Sequence, residues 1–163
     1  SDVCSSDLRK HNMVRIYGVS TQATGDNPGA NKVSENVLTA TTNGTQPRRM
    51  TLDGTGAETA KNILIVNPNT SKLFELNILA RTGAPNLFTA AWDIGFLAKK
   101  GTSNESTSIE TFFPVNAFSD QEAEDFSVEV IENPSLGGIS IICKGKDGYN
   151  SVNWIARVSA TEV

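Results

Sequence analysis

The residue types that most often carry chemistry are scarce in this sequence of 163 residues. It contains one histidine, His11, and two cysteines, Cys4 and Cys143, which lie 139 positions apart. One histidine near the start of the chain supplies neither the ligand set of a zinc site nor a convincing base for a Ser–His–Asp triad. Cysteines so far apart indicate neither a zinc framework nor a disulfide framework. We therefore expect no catalytic residue, no metal site and no cofactor, and we expect Cys143 to be a buried thiol.

Carboxylates cluster in one run, which contains Asp120, Glu122, Glu124 and Asp125. Clustered carboxylates suit Ca²⁺, and paired carboxylates can act as the acid and the base of a glycosidase. The run lacks the spaced Asp/Asn-Gly pattern of an EF-hand loop, and nothing in the sequence places two carboxylates across a cleft. The pattern favours a solvated loop or a short helical turn.

Two glycine-containing segments have the composition of turns. Asp53-Gly54-Thr55-Gly56 resembles a phosphate-binding loop only superficially, because no Lys-Ser/Thr pair and no helix follow it. The other segment ends in Asp147-Gly148-Tyr149-Asn150. An aromatic ring flanked by polar groups can stack on a sugar ring. Asp147, Tyr149 and Asn150 are therefore the candidate receptor- or glycan-binding residues, and the alternative is that Tyr149 packs back on a sheet as a turn residue.

The charge pattern and the length of the apolar runs each exclude one class of protein. The chain has 14 basic and 18 acidic residues, a net charge of −4, and no basic run. This composition is unsuited to nucleic-acid binding, which depends on neutralising phosphates. The longest uninterrupted apolar runs are about four residues, as in Ile63–Val66, so we expect no membrane insertion.

The elements that must position any site are predicted to be strands. Apolar residues alternate with polar ones in Leu73–Arg81, Ala91–Lys99 and Val152–Ser159, as in strands with one buried face. Other predicted strands are Met13–Val19, Val33–Thr42, Arg48–Leu52, Asn62–Val66, Thr107–Phe118 (placed at an edge or bulge by Pro114), the segment 126–130 and Ile139–Lys144.

Nine or ten short strands separated by turns predict an all-β protein, an antiparallel β-sandwich of jelly-roll type. Ile139–Lys144 and Val152–Ser159 are interpreted as a terminal hairpin around the segment 145–150. The expected core residues share the apolar faces of these strands: Phe74, Leu76, Ile78, Trp92, Ile94, Phe96, Phe126, Val128, Ile141 and Trp154.

The first ten residues are assigned to a leader outside the domain, which is predicted to span 11–163. Residues 1–8, SDVCSSDL, resemble the translation of a sequencing adapter, and the alternative is a genuine flexible leader. On the adapter interpretation, the chain is the C-terminal part of a longer protein.

Four segments of the chain resemble, in order and spacing, a domain common at the C-termini of phage and prophage tail-fibre or tail-spike-like proteins. They are the segments 39–54 (TATTNGTQPRRMTLDG), 74–82 (FELNILART), 91–96 (AWDIGF) and 153–163 (NWIARVSATEV). Three departures stand beside the resemblance. Stalk repeats are absent, Thr82 stands where the family often has a second Arg, and the loops Gly83–Thr89 and Gly145–Asn150 differ in content.

The resemblance implies a virion component made in the cytoplasm of a bacterial host. It implies a homotrimer joined to an upstream fibre stalk and a host-surface glycan or protein as the partner. Divergent loops on a constant scaffold are typical of a recognition surface. Two alternatives stay open: a capsid decoration or purely structural trimerisation domain, and a polysaccharide-cleaving enzyme module.

Overall fold

The computed structural model describes residues 32–163, with residue 32 and residues 111–116 described by their backbone alone. The proposed leader and the predicted strand Met13–Val19 lie outside the described residues. The described strands are β1 (Lys32–Thr42), β2 (Arg48–Met50), β3 (Leu64–Ile65), β4 (Thr70–Thr82), β5 (Thr89–Lys100), β6 (Ser108–Ser119), β7 (Ser127–Asn133), β8 (Gly138–Lys144) and β9 (Val152–Glu162). Two short 3₁₀ turns cover Asn104–Ser106 and Gln121–Ala123. Residues 32–163 include no helix with the length and apolar character of a membrane span.

Five long strands form one antiparallel sheet in the order β1-β9-β4-β5-β6. Along β4 and β9, buried and exposed residues alternate almost without exception, which is the burial pattern that their sequences predict. Among the strands of residues 32–163, β6 lies at the edge of this sheet, and its pairing with β5 shifts register at two places. The prediction that Pro114 places this strand at an edge or a bulge is confirmed by its edge position among the described strands, since an edge strand tolerates the missing donor of proline.

The second sheet is built around β8. β7 pairs along the whole of one side of β8, and β2 and β3 pair with successive parts of its other side. The loop 51–63 joins β2 to β3. A pair of backbone hydrogen bonds between Thr39 of β1 and Thr51, of 2.9 and 3.1 Å, ties the two sheets together at this side.

The core lies between the two sheets and is aromatic at its centre. Phe74 stacks on Phe96 with ring centroids 4.9 Å apart, and Trp92 stacks on Trp154 at 5.5 Å. All of the predicted core residues are buried except Val128, which is half-buried and packs against the cluster. The prediction of an all-β antiparallel sandwich is confirmed.

The predicted terminal hairpin is wrong. β8 belongs to the four-stranded sheet and β9 to the five-stranded sheet, so the loop 145–151 crosses between sheets instead of reversing within one. The chain also crosses between the sheets from β1 to β2, from β3 to β4 and from β6 to β7. Such exchanges are typical of jelly-roll-like sandwiches.

Candidate functional site

Two loops that are distant in sequence meet at one end of the sandwich. The loop 83–88 joins β4 to β5, and the loop 145–151 joins β8 to β9. Because Thr82 and Val152 form the last residue pair between β4 and β9, the two loops leave the sheet side by side. They enclose a groove of about 290 Å³, which we call the end groove. Its lining consists of Thr82, Gly83, Ala84, Pro85, Asn86, Gly148, Tyr149, Asn150 and Ser151.

Thr82 fixes the shape of the first loop. Its side chain is buried, its hydroxyl donates to the carbonyl oxygen of Asn86, and it accepts a 2.9 Å hydrogen bond from the amide of Phe88. The backbone amide of Thr82 also donates to the Phe88 carbonyl oxygen over 3.0 Å. A threonine can be buried in this way, whereas an arginine would bring a charge into the same position. The departure of Thr82 from the resembled pattern thus coincides with the residue that organises the loop.

The second loop is held by two backbone hydrogen bonds from other segments and by one within the loop. The amide of Gly83 donates to the Ser151 carbonyl oxygen over 3.1 Å, which joins the two loops. The amide of Gly44 donates to the Tyr149 carbonyl oxygen over 2.8 Å. Gly44 has a φ of +59°, a conformation that glycine adopts at little cost, so the Asn43-Gly44 turn can approach the loop. Inside the loop, the amide of Tyr149 donates to the carbonyl oxygen of Lys146 over 3.3 Å.

The ring of Tyr149 is half-buried and packs on the core. It lies nearly perpendicular to the rings of Phe88 and Phe126, at centroid distances of 5.8 and 6.1 Å. This packing corresponds to the alternative given for Tyr149, a turn residue whose ring packs back, since the loop spans the open end of the core and the ring closes part of that opening. Tyr149 nevertheless lines the end groove.

The other predicted site residues divide between the groove and its surroundings. Asn150 lines the groove, whereas Asp147 is exposed in the same loop and lies outside the lining. Asn86 and Ser151 were not predicted as site residues. The loop that contains Asn86 differs in content from the resembled family, and that was the one available signal. Placing it beside Tyr149 requires the pairing of β4 with β9, which the sequence pattern does not reveal.

The lining of the end groove contains no residues that are charged at neutral pH. Nearby, Lys146 forms a 2.9 Å ion pair with Asp125, and this hydrogen bond to Asp125 raises the pKa of Lys146 above its usual value. The groove therefore offers amide, hydroxyl and backbone hydrogen-bonding groups beside small apolar surfaces.

The acidic run has structural contacts. Asp120 accepts a 2.7 Å hydrogen bond from the amide of Thr89 at the start of β5, and Asp125 pairs with Lys146. The predicted loop or short helical turn is confirmed by the 3₁₀ turn Gln121–Ala123. Across residues 32–163, no group of three or more His, Cys, Asp or Glu side chains is placed to hold a metal ion.

The glycine-containing segment at Asp53 is a turn organised by its carboxylate. Asp53 accepts hydrogen bonds from the Thr51 hydroxyl at 2.8 Å, from the Asn62 side chain at 2.9 Å, and from the amide and hydroxyl of Thr55 at 3.1 and 2.9 Å. These bonds, led by that from Asn62, hold the pKa of Asp53 far below its ordinary value of 3.8. The prediction of a turn is confirmed.

A second depression, of about 470 Å³, lies on the outer face of the five-stranded sheet. It lies around Gly95, which has no side chain to fill the space, and is bordered by Glu75, Asp93 and Arg157. Asn77 donates a 2.6 Å hydrogen bond to Asp93 at its rim. The sequence gives no signal for this depression, because polar residues on the outward side of a strand are what any solvated sheet face shows.

Cys143 lies in β8, facing the core, and is fully buried. Burial raises the pKa of its thiol to about 12, because the thiolate would lose its solvation there. The prediction of a buried thiol is confirmed.

Comparison with known proteins gives a structural likeness but no related sequence or family model. A scan against protein-family models and a search of curated proteins find no match. Among solved structures, the chain is similar to one titled "Crystal structure of Acinetobacter baumannii phage AM24 tailspike protein", with a TM-score of 0.33 and 7% sequence identity. The likeness covers 82% of this chain and 26% of that chain, so this chain spans about a quarter of that protein's length.

Proposed function

We propose that this chain is a non-catalytic module of a phage tail fibre or tail spike, carried on the virion, that assembles as a homotrimer below a fibre stalk and attaches to a host-surface glycan or protein. The observation that carries the proposal is the end groove. Two loops from distant parts of the sequence, both of which depart from the resembled family, form one concave surface on a rigid sandwich. Binding residues are commonly placed on loops that a rigid scaffold positions.

The placement of the four resembling segments supports the distinction between a scaffold and binding loops. They occupy the end of β1 together with the following turn and β2, and then parts of β4, β5 and β9. β2 belongs to the four-stranded sheet, whereas the other strands are neighbours in the five-stranded sheet, in the order β1-β9-β4-β5. Apart from β2, the segments that resemble a common domain thus lie together in the five-stranded sheet, and the loops that differ from it lie together at the end of that sheet.

An apolar row on the outer face of the five-stranded sheet supports the homotrimer. Ile155 pairs with Leu79, Leu79 with Ala91, and Ala91 with Phe118, across four neighbouring strands. Leu79, Ile155 and Phe118 are 45%, 47% and 54% exposed. Monomeric proteins seldom expose large contiguous apolar patches, and association of three copies through this row would remove it from water. Three copies of a weak site also gain avidity on a surface that bears many ligands.

The test combines solution mass with adsorption to cells. Light scattering of the full chain should give the mass of three chains, and Leu79→Glu should reduce that mass to one chain while Leu87→Glu, an exposed leucine outside the row, should not. The labelled full chain should adsorb to a subset of strains in a panel of bacteria. A stable trimer that adsorbs to no strain would support a purely structural trimerisation or capsid-decoration role. Release of sugars from purified surface polysaccharide would show an enzyme.

A further inference from the structure

We propose that the end groove binds a single uncharged sugar unit of the host surface and discriminates against acidic sugars. This inference rests on the attachment role proposed above and deepens it by naming the ligand class and its location. It is carried by the chemistry of the lining, by the size of the groove and by the way its walls are fixed.

The lining selects against anions. No lysine, arginine or histidine lies among the lining residues, and Lys146, in the same loop, is already paired with Asp125 at 2.9 Å. The exposed carboxylate of Asp147 adds negative charge beside the groove. A carboxylate, phosphate or sulfate group that entered would lose part of its hydration and find no cation to replace it. A uronic or sialic acid is therefore at a disadvantage against its uncharged counterpart.

The same lining suits an uncharged pyranose. The side chains of Asn86 and Asn150 each offer a donor and an acceptor, and the Ser151 hydroxyl offers both as well. Ala84, Pro85 and the ring of Tyr149 supply apolar surface in the same groove. A pyranose carries hydroxyl groups around its edge and C–H groups on its faces, so it needs this mixture. An apolar side chain of a host protein would leave the amide groups without partners.

The size and stiffness of the groove agree with one sugar unit. Its volume of about 290 Å³ is at the small end of ligand pockets, which typically measure about 300–1,000 Å³. Its walls are joined by the hydrogen bond from Gly83 to Ser151 and anchored by that from Gly44 to Tyr149. A groove that is already ordered loses little conformational entropy when a ligand binds.

Two glycines provide a matched pair of variants. A Cβ atom at Gly83 would meet no atom within 4 Å, and Gly83 does not have a positive φ, so Gly83→Leu should fill the groove without disturbing the fold. Gly95 lies in the charged depression on the sheet face, where a Cβ would come no closer than 4.0 Å to the Phe74 carbonyl oxygen. Gly95→Leu therefore fills the rival concave site by the same chemical change. Thermal unfolding of both variants checks that each is folded.

The experiment follows backbone amide NMR signals of the full chain during titration with methyl glucoside, methyl galactoside and methyl N-acetylglucosaminide, and with the methyl glycosides of glucuronate and galacturonate. We expect at least one uncharged glycoside to shift the signals of Gly83 and Gly148 but not that of Gly95. We expect the matched acid to bind about tenfold more weakly or worse. Gly83→Leu should abolish the shifts, and Gly95→Leu should leave them unchanged.

Several results would overturn the inference. In the titrations, these are tighter binding of an acidic sugar, no shift with any uncharged glycoside, and loss of binding in Gly95→Leu but not in Gly83→Leu. In the adsorption assay, the contradicting result is adsorption to bacteria that survives periodate oxidation of the cells but is lost after protease treatment of the cells. Adsorption that Gly83→Leu leaves intact would reject the groove while keeping the attachment role. Sugar binding without adsorption to any strain would keep the groove and reject the attachment role.

Discussion

The two sheets of this sandwich are stabilised in different ways. In the five-stranded sheet, β4 forms twelve residue pairs with β5 and eleven with β9. In the four-stranded sheet, one side of β8 has only three pairs with β2 and two with β3. Long ladders supply most of the backbone hydrogen bonds in the first sheet. In the second, the interrupted side of β8 adjoins the loop 51–63, and this loop is held by polar side chains.

The polar contacts of that loop are specific. Asn62 is buried; it accepts a 2.7 Å hydrogen bond from the amide of Thr59 and donates to Asp53 and to the Ala57 carbonyl oxygen. Glu58 has a nearly buried side chain that pairs with Arg49 of β2, an outward-facing residue. The difference between the sheets indicates that hydrogen bonds and ion pairs of buried polar side chains can hold a short strand in place where its own ladder has few residue pairs.

The largest loss of stability is expected at the aromatic centre shared by both sheets. Trp154 is buried against Trp92 and Phe126, and its indole nitrogen donates a 2.9 Å hydrogen bond to the hydroxyl of Thr42. Trp154→Ala should lower the free energy of unfolding by about 3–5 kcal/mol, since it leaves a cavity and an unpaired buried hydroxyl. Denaturant unfolding followed by circular dichroism measures this. Trp154→Phe keeps much of the packing and should lose less, and equal losses would show that the packing contributes little.

A smaller loss is expected from the polar network of the loop 51–63. Asn62→Ala should lower the free energy of unfolding by about 1–3 kcal/mol, because it leaves the Thr59 amide and the Ala57 carbonyl oxygen without their partner. The matched control is Asn77→Ala on the five-stranded sheet, where the hydrogen bond to Asp93 is exposed to solvent. Its effect should stay within about 0.5 kcal/mol. Equal effects in the two variants would contradict the contrast between the sheets.

The same contrast explains how much of the fold was predictable. In Leu73–Arg81, Ala91–Lys99 and Val152–Ser159, the period-2 pattern is continuous and identifies the buried face correctly. β3 is only two residues long, because its hydrogen bonds with β8 are cut short by the loop that precedes it. The expected hairpin between β8 and β9 was wrong because local turn composition does not show which sheet a strand joins.

The candidate site was predictable only in part. Turn composition was enough to select Tyr149 and Asn150, which line the end groove. It could not show that Tyr149 packs on Phe88 and Phe126, since these contacts join residues far apart in sequence. It could not select Asn86 either, because the contact between the two loops depends on the register of β4 with β9.

Acid should weaken the four-stranded sheet through Asp53. Its pKa is lowered in the folded protein, so its contribution to stability is complete above its unfolded value of about 3.8 and is lost as the pH falls through the folded value. Unfolding measured from pH 7 down to pH 2 should therefore steepen below about pH 4. Asp53→Asn should be less stable than the natural chain at pH 7 and should show a flatter dependence in the acid range. If the free energy of unfolding of Asp53→Asn depends on pH in the acid range as steeply as that of the natural chain, other carboxylates dominate this dependence.

The smallest effect is expected from the ion pair between Arg157 and Glu35 on the outer face of the five-stranded sheet. The two side chains are 3.0 Å apart and mostly exposed, at 66% and 56%. Water and salt screen such a pair, so Glu35→Gln should change the free energy of unfolding by at most about 0.5 kcal/mol, and added salt should change it little further. Denaturant unfolding at low and high salt measures both values.

The same variant distinguishes a solvent-exposed sheet face from one covered by another subunit, since an ion pair shielded from water in an assembled trimer would be costly to break. A loss well above this value that disappears in Leu79→Glu would place Arg157 and Glu35 inside the subunit interface, and a small loss in both backgrounds would limit that interface to the apolar row.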